Sequence, residues 1–339
     1  MAEDLKAPVV VASSLAAVRD ELRRTQLSAS TVNFIVWLDD PARRDWILQR
    51  AAMIGDKYPS LTLILDKSGG CPVDKATIES GEGARRAMDV TVQGERAIVD
   101  AGCATPAELA EYVVSLEHET VPTVLWWTGV CLEEEPDFDA LLPHVDALVV
   151  DSSGGTRDDT TLRQVVRFAR AHPQTALHDL AWMRVRPWRD MIAYFFDDPH
   201  VLEDLLEIRA LHIESGSDAE AVYLGGWLAS RLGWTAKGRD VFADRRGKDV
   251  AFEHVRGGTV RRIHSLCLDS EGTFYHGEVT TEDGTIVRLW SEGERATGAQ
   301  RLHPLQAVDN ASLIECAILE RATDEVFETA LRSVATLLG

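Results

Sequence analysis

Short apolar runs alternate with helix-start signals in the first half of the chain, and this alternation restricts the fold more than any other feature. Four of the runs are rich in β-branched or aliphatic residues and are short enough for strands: residues 31–38, 61–65, 121–127 and 145–151. Strands that are apolar on both faces must be covered on both, as in parallel sheets flanked by helices. The sequence therefore predicts an α/β fold that begins with a Rossmann-like domain built on a mainly parallel sheet.

A helix in the second half contains two adjacent glycines. Ser217 and Glu220 have the spacing of a capping box, which predicts the start of this helix. Gly225 and Gly226 lie within it, and each glycine costs a helix roughly 1 kcal/mol relative to alanine. Close packing of another backbone against the two glycines is the predicted compensation.

The pattern becomes strand-like from residue 249 onward. Turn signals there separate four β-rich runs, which predicts an antiparallel meander. A further strand is predicted over residues 312–319, before a final helix. The chain is therefore divided into a Rossmann-like α/β domain over residues 1–172 and an α+β domain over residues 173–339.

The balance of charges narrows the classes of partner. The chain has 35 Lys and Arg against 55 Asp and Glu, which gives a formal net charge of −20 at pH 7. This charge repels nucleic acid and anionic lipid at long range, so neither is expected as a partner. The sequence begins acidic rather than with a basic and then an apolar segment, and no run approaches the ~18 apolar residues of a membrane span. The expected location is the cytoplasm.

Motifs for metals, cofactors and catalysis are not found in the sequence. The ten histidines are dispersed, and the five cysteines are scattered without a C-x-x-C pair. This argues against a zinc site and a disulfide framework, and leaves a single regulatory thiol pair open. Gly81-Glu82-Gly83 lacks the third glycine of the dinucleotide fingerprint. No catalytic residue, metal or cofactor is predicted.

Tryptophan and arginine are concentrated in residues 179–189 of this acidic chain. Pro187 suits the first turn of a helix because its φ is already helical and its missing N–H would be unpaired there. A helix from Pro187 places an apolar stripe on one face, formed by Trp188, Met191, Ile192 and Phe195. The stripe predicts that Trp188 is buried and that Arg186 and Arg189 are exposed.

Two interpretations of this motif stay open at the level of sequence. Tryptophans are mostly core residues, and the arginines could pair with the abundant acids of the chain itself. Trp and Arg are also the residues enriched at binding hot spots. The second interpretation predicts a partner-binding surface formed by Trp182, Arg184, Arg186 and Arg189.

The carboxyl ends of two predicted strands carry a second group of candidate residues. In doubly wound sheets, ligands bind beyond these ends. A ligand pocket is therefore possible at Trp126, Trp127, Asp151, Ser152 and Ser153. For the loop that begins at Asp151, capping of the following helix is the alternative to a small-anion site made by backbone N–H groups.

Several stretches together resemble the OpcA family of glucose-6-phosphate dehydrogenase assembly proteins. The resemblance rests on Asp179-Leu180, Trp182, Arg184, Pro187-Trp188-Arg189, Trp126-Trp127, Asp151-Ser152-Ser153, Gly226-Trp227-Leu228 and Leu232-Gly233-Trp234. Ala181 and Arg186 depart from the small polar residues expected at these positions. The terminal segments carry no motif that matches.

The resemblance implies a non-catalytic protein of the oxidative pentose phosphate pathway. Such a protein binds the glucose-6-phosphate dehydrogenase oligomer, promotes its assembly and activates it allosterically. Redox control through cysteines is a property of cyanobacterial relatives, and no cysteine here is assigned to it. The alternative from the residues alone is a sugar-phosphate or nucleotide-binding enzyme or sensor that uses the strand ends of the first domain.

Overall fold

The computed structural model describes most of the chain, and the segments it describes form two compact units. They are residues 9–12, 30–58, 60–69, 76–81, 94–153, 158–197, 199–257, 262–281, 285–296, 300–305, 309–320, 322 and 324–339. The first unit comprises Met1–Val150, His172–His178 and Asn310–Ala322, and the second comprises Asp151–Ala171, Asp179–Asp309 and Thr323–Gly339. The units are thus interleaved along the sequence. The division at residue 172 stays a prediction about which parts fold independently.

An eight-stranded sheet organises the first unit. Its strands are β1 (Val9–Ala12), β2 (Val32–Leu38), β3 (Ser60–Asp66), β4 (Ala76–Gly81), β5 (Gly94–Asp100), β6 (Thr123–Trp126), β7 (Ala147–Val150) and β8 (Ala176–Asp179). Helices α1 (Arg44–Lys57), α2 (Pro106–Leu116), α3 (Pro136–Leu141) and α9 (Asn310–Leu319) belong to the same unit.

The strand order is β1-β4-β5-β3-β2-β6-β7-β8. Parallel pairing joins β5, β3, β2, β6 and β7, and β4 adds an antiparallel edge. All residues of β2 and β3 are buried, as their continuous apolar runs require. The predicted Rossmann-like α/β fold with a mainly parallel sheet is confirmed.

The second unit combines six helices with a second sheet among its described residues. The helices are α4 (Asp158–Ala171), α5 (Leu180–Arg184), α6 (Arg186–Phe195), α7 (Pro199–Leu205), α8 (Asp218–Leu232) and α10 (Glu325–Leu338). The strands are β9 (Ile208–Ser215), β10 (Thr235–Ala236), β11 (Val241–Ala243), β12 (Asp249–Arg256), β13 (Ile263–Ser270), β14 (Thr273–Val279), β15 (Ile286–Gly293) and β16 (Arg301–Pro304).

The order of the second sheet is β10-β11-β12-β9-β13-β14-β15-β16. Strands β13 to β16 form the predicted antiparallel meander. The first of the predicted runs, β12, does not continue it, because β12 pairs in parallel with β9 and β9 lies between β12 and β13. Strand alternation predicts that a segment is extended but not which neighbour it takes, so this insertion was not predictable from the pattern.

The prediction of a strand over residues 312–319 is wrong, because this segment forms helix α9. Its buried residues are Ala311, Leu313, Ile314, Ala317 and Ile318, which follow helical spacing. A short apolar run fits either a buried strand or a buried helix, and periodicity alone separates them poorly. Lys57 forms an ion pair with Glu315 of α9.

Four of the five cysteines lie in the described residues, and they differ in their bonding. Cys103 is disulfide-bonded, whereas Cys131, Cys267 and Cys316 form no disulfide. A disulfide is therefore present at Cys103, and a regulatory role for it stays a prediction. Among the described helices, none is long and apolar enough to cross a membrane.

The two glycines of α8 allow close packing inside the second unit. A Cβ added at Gly226 would lie 2.5 Å from Val334 Cγ2 and 3.2 Å from the carbonyl oxygen of Ala330, both in α10. A Cβ added at Gly225 would lie 2.9 Å from the ring of Phe252. The predicted close approach of another backbone is confirmed at Gly226.

We expect Gly226→Ala to destabilise the protein although alanine is the better helix former. The gain in helix propensity is about 1 kcal/mol, whereas overpacking a tight contact costs about 1–3 kcal/mol. Denaturant unfolding of Gly226→Ala, Val334→Ala and the double variant measures the effect. Because Val334→Ala removes the nearest atom, Gly226→Ala should cost less in that background. Equal costs in both backgrounds would contradict the proposed contact.

Candidate functional site

Residues 179–189, called the Trp/Arg motif from here on, contribute to two helices rather than to the single helix predicted from Pro187. Asp179 caps the short helix α5, because its Oδ1 accepts a hydrogen bond of 2.9 Å from the backbone N–H of Ala181. Helix α6 begins after a break at Val185, with Pro187 in its first turn. Trp182 and Arg184 therefore lie on α5, the short helix that precedes α6.

Arg184 is the centre of a buried ionic cluster in the second unit. Its Nε donates to Glu220 Oε1 at 2.8 Å. Its Nη2 donates to the carboxylate of Asp151 and to the hydroxyl of Ser153. The side chains of Arg184 and Glu220 are only 8% and 3% exposed. Arg184 is thus paired with acidic residues of the chain itself.

The loop that begins at Asp151 is part of this cluster. Asp151 Oδ1 accepts hydrogen bonds from the backbone N–H and the hydroxyl of Ser153, at 3.1 Å and 2.7 Å. Burial raises the pKa of Asp151, but the charge of Arg184 and the hydrogen bonds outweigh burial and hold the pKa below its usual value. The pKa of Arg184 is raised in turn, because Asp151 and Glu220 outweigh its own burial.

Asp179 and Tyr223 form the second half of the cluster. The Tyr223 hydroxyl donates to Asp179 Oδ2 at 2.7 Å, and the backbone N–H of Ser152 donates to Oδ1 at 3.1 Å. Burial and the nearby charge of Asp151 raise the pKa of Asp179. Burial, together with Asp179, raises the pKa of Tyr223 well above its usual value. These groups are closed off from solvent and satisfy one another.

Glu220 has a different role from the one its spacing predicts. Ser217 caps α8 by accepting a hydrogen bond of 3.3 Å from the backbone N–H of Glu220. The backbone N–H of Ser217 instead donates to Ser215 Oγ. The carboxylate of Glu220 is therefore free of the capping box and binds Arg184.

Arg189 is buried, and the prediction that it is exposed is wrong. It is 9% exposed, and its guanidinium carbon lies 3.6 Å from the ring centroid of Trp182. Burial lowers its pKa to about 10, opposed by the charge of Asp324. A planar guanidinium can stack on an indole, so an arginine next to a buried tryptophan need not face solvent.

Arg186 and Trp188 lie where the helical stripe predicts. The side chain of Arg186 is 66% exposed and lies 3.8 Å from Asp190, one turn along α6. Trp188, Met191 and Ile192 are buried, and Phe195 is half-buried. Trp188 Cζ3 would lie 3.3 Å from a Cβ added at Gly277 of β14. Among Trp182, Arg184, Arg186 and Arg189, only Arg186 therefore presents its charged group to solvent.

Trp126 and Trp127 are core residues of the first unit. Both are at most 3% exposed. Trp127 stacks on Trp37 with ring centroids 4.6 Å apart, and its Nε1 donates to the carbonyl oxygen of Cys131 at 2.9 Å. Ser152 and Ser153 are also buried, in the second unit. A ligand at any of these residues would have to displace a side chain, and the pocket stays a prediction.

A feature that the motif search missed lies on the second sheet. His212, Glu253, Cys267, His276 and Trp290 line a shallow depression of about 400 Å³ on its outer face. Each of these residues comes from a different strand, and they are not close in sequence. Only the register of the strands brings them together. Among the described residues, no group of three His, Cys, Asp or Glu could hold a metal ion.

The fold, a Rossmann-like sheet together with a mixed, mostly antiparallel sheet, has a counterpart among solved structures. It resembles KijD10, a 3-ketoreductase from Actinomadura kijaniata, in its open conformation with TDP-benzene and NADP. The TM-score is 0.51 at 15% identity, and the likeness covers 91% of this chain and 96% of that chain. At this identity the likeness shows the fold alone.

Residues 175–331 match the OpcA family model, which describes the C-terminal domain of a glucose-6-phosphate dehydrogenase subunit. The chain is 34% identical over 125 residues to OpcA of Synechocystis sp. and 31% identical over 148 residues to OpcA of Synechococcus elongatus. These matches cover 36% and 43% of this chain, but only 26% and 31% of the relatives. The resemblance to the OpcA family is confirmed for the matched part of the chain, residues 175–331.

We expect Trp188→Ala to lower the free energy of unfolding by about 3–5 kcal/mol, the usual loss for a buried large aromatic. Arg186→Ala, two residues away and exposed, is the matched control and should change stability by less than about 0.5 kcal/mol. Urea unfolding followed by tryptophan fluorescence and circular dichroism measures both. Similar small losses in the two variants would show that α6 is not anchored by Trp188.

We also expect the stability of the Glu220→Gln variant to depend less on pH than that of the parent. Burial raises the pKa of Glu220 from 4.5 to about 7, against the opposing charge of Arg184. The folded state then binds a proton at Glu220 more tightly than the unfolded state. Protonation of Glu220 therefore contributes to the free energy of unfolding below pH 4.5, and this contribution is lost as pH rises through about 7.

Unfolding free energies at pH 5, 6, 7 and 8 test this direction. The stability of Glu220→Gln relative to the parent should improve as the pH rises across this range. Glu328→Gln, at an exposed position of α10, serves as the control and should follow the parent at every pH. Parallel profiles for Glu220→Gln and the parent would contradict the prediction.

Proposed function

We propose that this chain binds the glucose-6-phosphate dehydrogenase of its own organism and favours the active form of that enzyme, without turning over substrate itself. The observation that carries the proposal is the match of residues 175–331 to the OpcA domain of the glucose-6-phosphate dehydrogenase system. The names of the relatives, as proteins of the OxPP cycle, support the same pathway. The cytoplasm is the compartment in which the proposed complex would form.

The ionic cluster supports a structural role for the motif of the family. Asp151, Asp179 and Glu220 have perturbed pKa values, which often mark catalytic groups. Here these carboxylates hydrogen-bond Arg184, Tyr223 and backbone N–H groups. A group that acts on a substrate has to reach it, whereas Asp179 and Glu220 are buried and Asp151 is engaged by Arg184 and Ser153. This arrangement favours a scaffold that positions α5, α6 and α8.

Activation requires that the chain bind two states of the dehydrogenase with different affinity. A binder with equal affinity for both states shifts no equilibrium, however tightly it binds. To move the enzyme from about one-tenth active to about nine-tenths active, the chain must bind the active state ~80-fold more tightly. Assembly of an oligomer is one way to supply this difference, because contacts between protomers exist only in the assembled state.

The role of the Trp/Arg motif in binding is part of this proposal. Arg186 is the member of the motif whose charged group is open to a partner. Trp182, Arg184 and Arg189 would contribute indirectly, since they hold α5 and α6 in place through the stacked and ionic contacts described above.

The dehydrogenase rate at limiting and saturating glucose 6-phosphate tests the proposal. We expect this chain to raise the rate at limiting substrate and to co-elute with the dehydrogenase in size-exclusion chromatography. The chain alone should give no turnover. An unrelated acidic protein of similar net charge is the control. An unchanged dehydrogenase rate together with separate elution of the two proteins would contradict the proposed function.

A further inference from the structure

The outer face of the second sheet carries an ordered row of side chains. Register pairs Glu253 with His212, His212 with Cys267, Cys267 with His276, and His276 with Trp290. The five residues therefore form one line across β12, β9, β13, β14 and β15. The alternate residues of these strands are buried on the other face, so the row points away from the core.

Planar side chains are fixed on this face by one another. The rings of His276 and Trp290 stack with centroids 4.7 Å apart and an interplanar angle of 13°. The guanidinium carbon of Arg288 lies 4.6 Å from the Trp290 ring. Trp290 Nε1 donates to Glu292 at 2.9 Å. These contacts limit rotation of the side chains, so a partner would lose little conformational entropy by ordering them.

Apolar side chains are exposed on the same face. Val255 is 51%, Phe274 38% and Leu302 69% exposed. Register aligns Val255 with Glu214 and Leu302 with Arg288, which places them on the outward side. The three side chains are spread across the face from β12 to β16. Exposed apolar side chains on a face that also presents a tryptophan mark interaction sites more often than plain solvated surface.

The charge of the face selects the kind of partner. Glu214, Glu253, Glu278 and Glu292 all lie on it, and Arg288 pairs with Glu278 at 2.6 Å. Within the described part of this face the carboxylates thus exceed the charge of Arg288. A second copy of the chain would place these carboxylates against the same carboxylates, and like charges across an interface are costly. A surface rich in Lys and Arg would meet them favourably.

We propose that this outer sheet face is the surface on which the chain docks its dehydrogenase partner, through a flat, basic patch of that partner. The inference rests on the proposed function and assigns its interface. Arginines of the partner would pair with Glu214 and Glu253 and stack beside Trp290, while Val255, Phe274 and Leu302 bury apolar area. The depression along the central row accommodates side chains that project from the partner.

Charge reversal on this face provides the test. Glu214→Lys with Glu253→Lys places two positive charges on adjacent strands. Glu203→Lys with Glu328→Lys makes the same change in net charge at exposed positions of α7 and α10 and is the matched control. Affinity for the dehydrogenase is measured for both variants and the parent at several salt concentrations, and folding is checked by circular dichroism and thermal melting. Glu214→Gln with Glu253→Gln replaces the reversal variant if that variant does not fold.

The face variant should bind roughly tenfold or more weakly than the parent, with a weaker dependence on salt, and the control should stay within about twofold. Equal binding by the folded face variant and the control would overturn this docking surface while the proposed function stands. If the parent itself does not bind the dehydrogenase, the proposed function fails and this interface with it. A parent dimer that dissociates in the face variant, seen by sedimentation, would assign the face to a second copy and overturn the proposal.

Discussion

Arg184 joins three segments of the second unit that are remote in sequence. Asp151 lies 33 residues before it and Glu220 lies 36 residues after it. Removing one partner of such a buried ion pair leaves an uncompensated charge, which typically costs about 3–5 kcal/mol. The placement of α5 against α8, and with it the stacked pair of Trp182 and Arg189, depends on this cluster. In this chain the tryptophans and arginines of residues 179–189 therefore serve mainly in internal packing, with Arg186 as the exposed exception.

Much of the architecture could be predicted because it follows from local rules. Continuous apolar runs predicted the parallel strands, and Ser217 caps α8 where a helix start was predicted. Gly226 indicated a close helix contact, since a glycine pair inside a helix needs compensation. Two local conclusions failed for opposite reasons. The run at 312–319 was too short for its period to be decisive. Arg189 was assigned to solvent because the sequence does not reveal that its guanidinium stacks on the indole of Trp182.

The candidate sites show where sequence reasoning stops. The composition of residues 179–189 drew attention to a segment that contributes to a buried ionic cluster, yet it could not tell an arginine paired inside the protein from one available to a partner. The row of side chains on the outer sheet face could not be predicted from the sequence for a different reason. Its members, from His212 to Trp290, come from five strands and become neighbours only through register, which depends on β9 entering between β12 and β13.

The interleaving of the two units has a consequence for synthesis of the chain on the ribosome. The first unit includes residues from Asn310–Ala322, and the second includes Thr323–Gly339. Domains generally fold as they emerge, with the N-terminal domain first. Here neither unit has all of its segments until the last of these residues have left the exit tunnel. The nascent chain therefore has to hold the first unit without α9, which packs against α1, from the end of β8 at Asp179 until Leu319 has emerged.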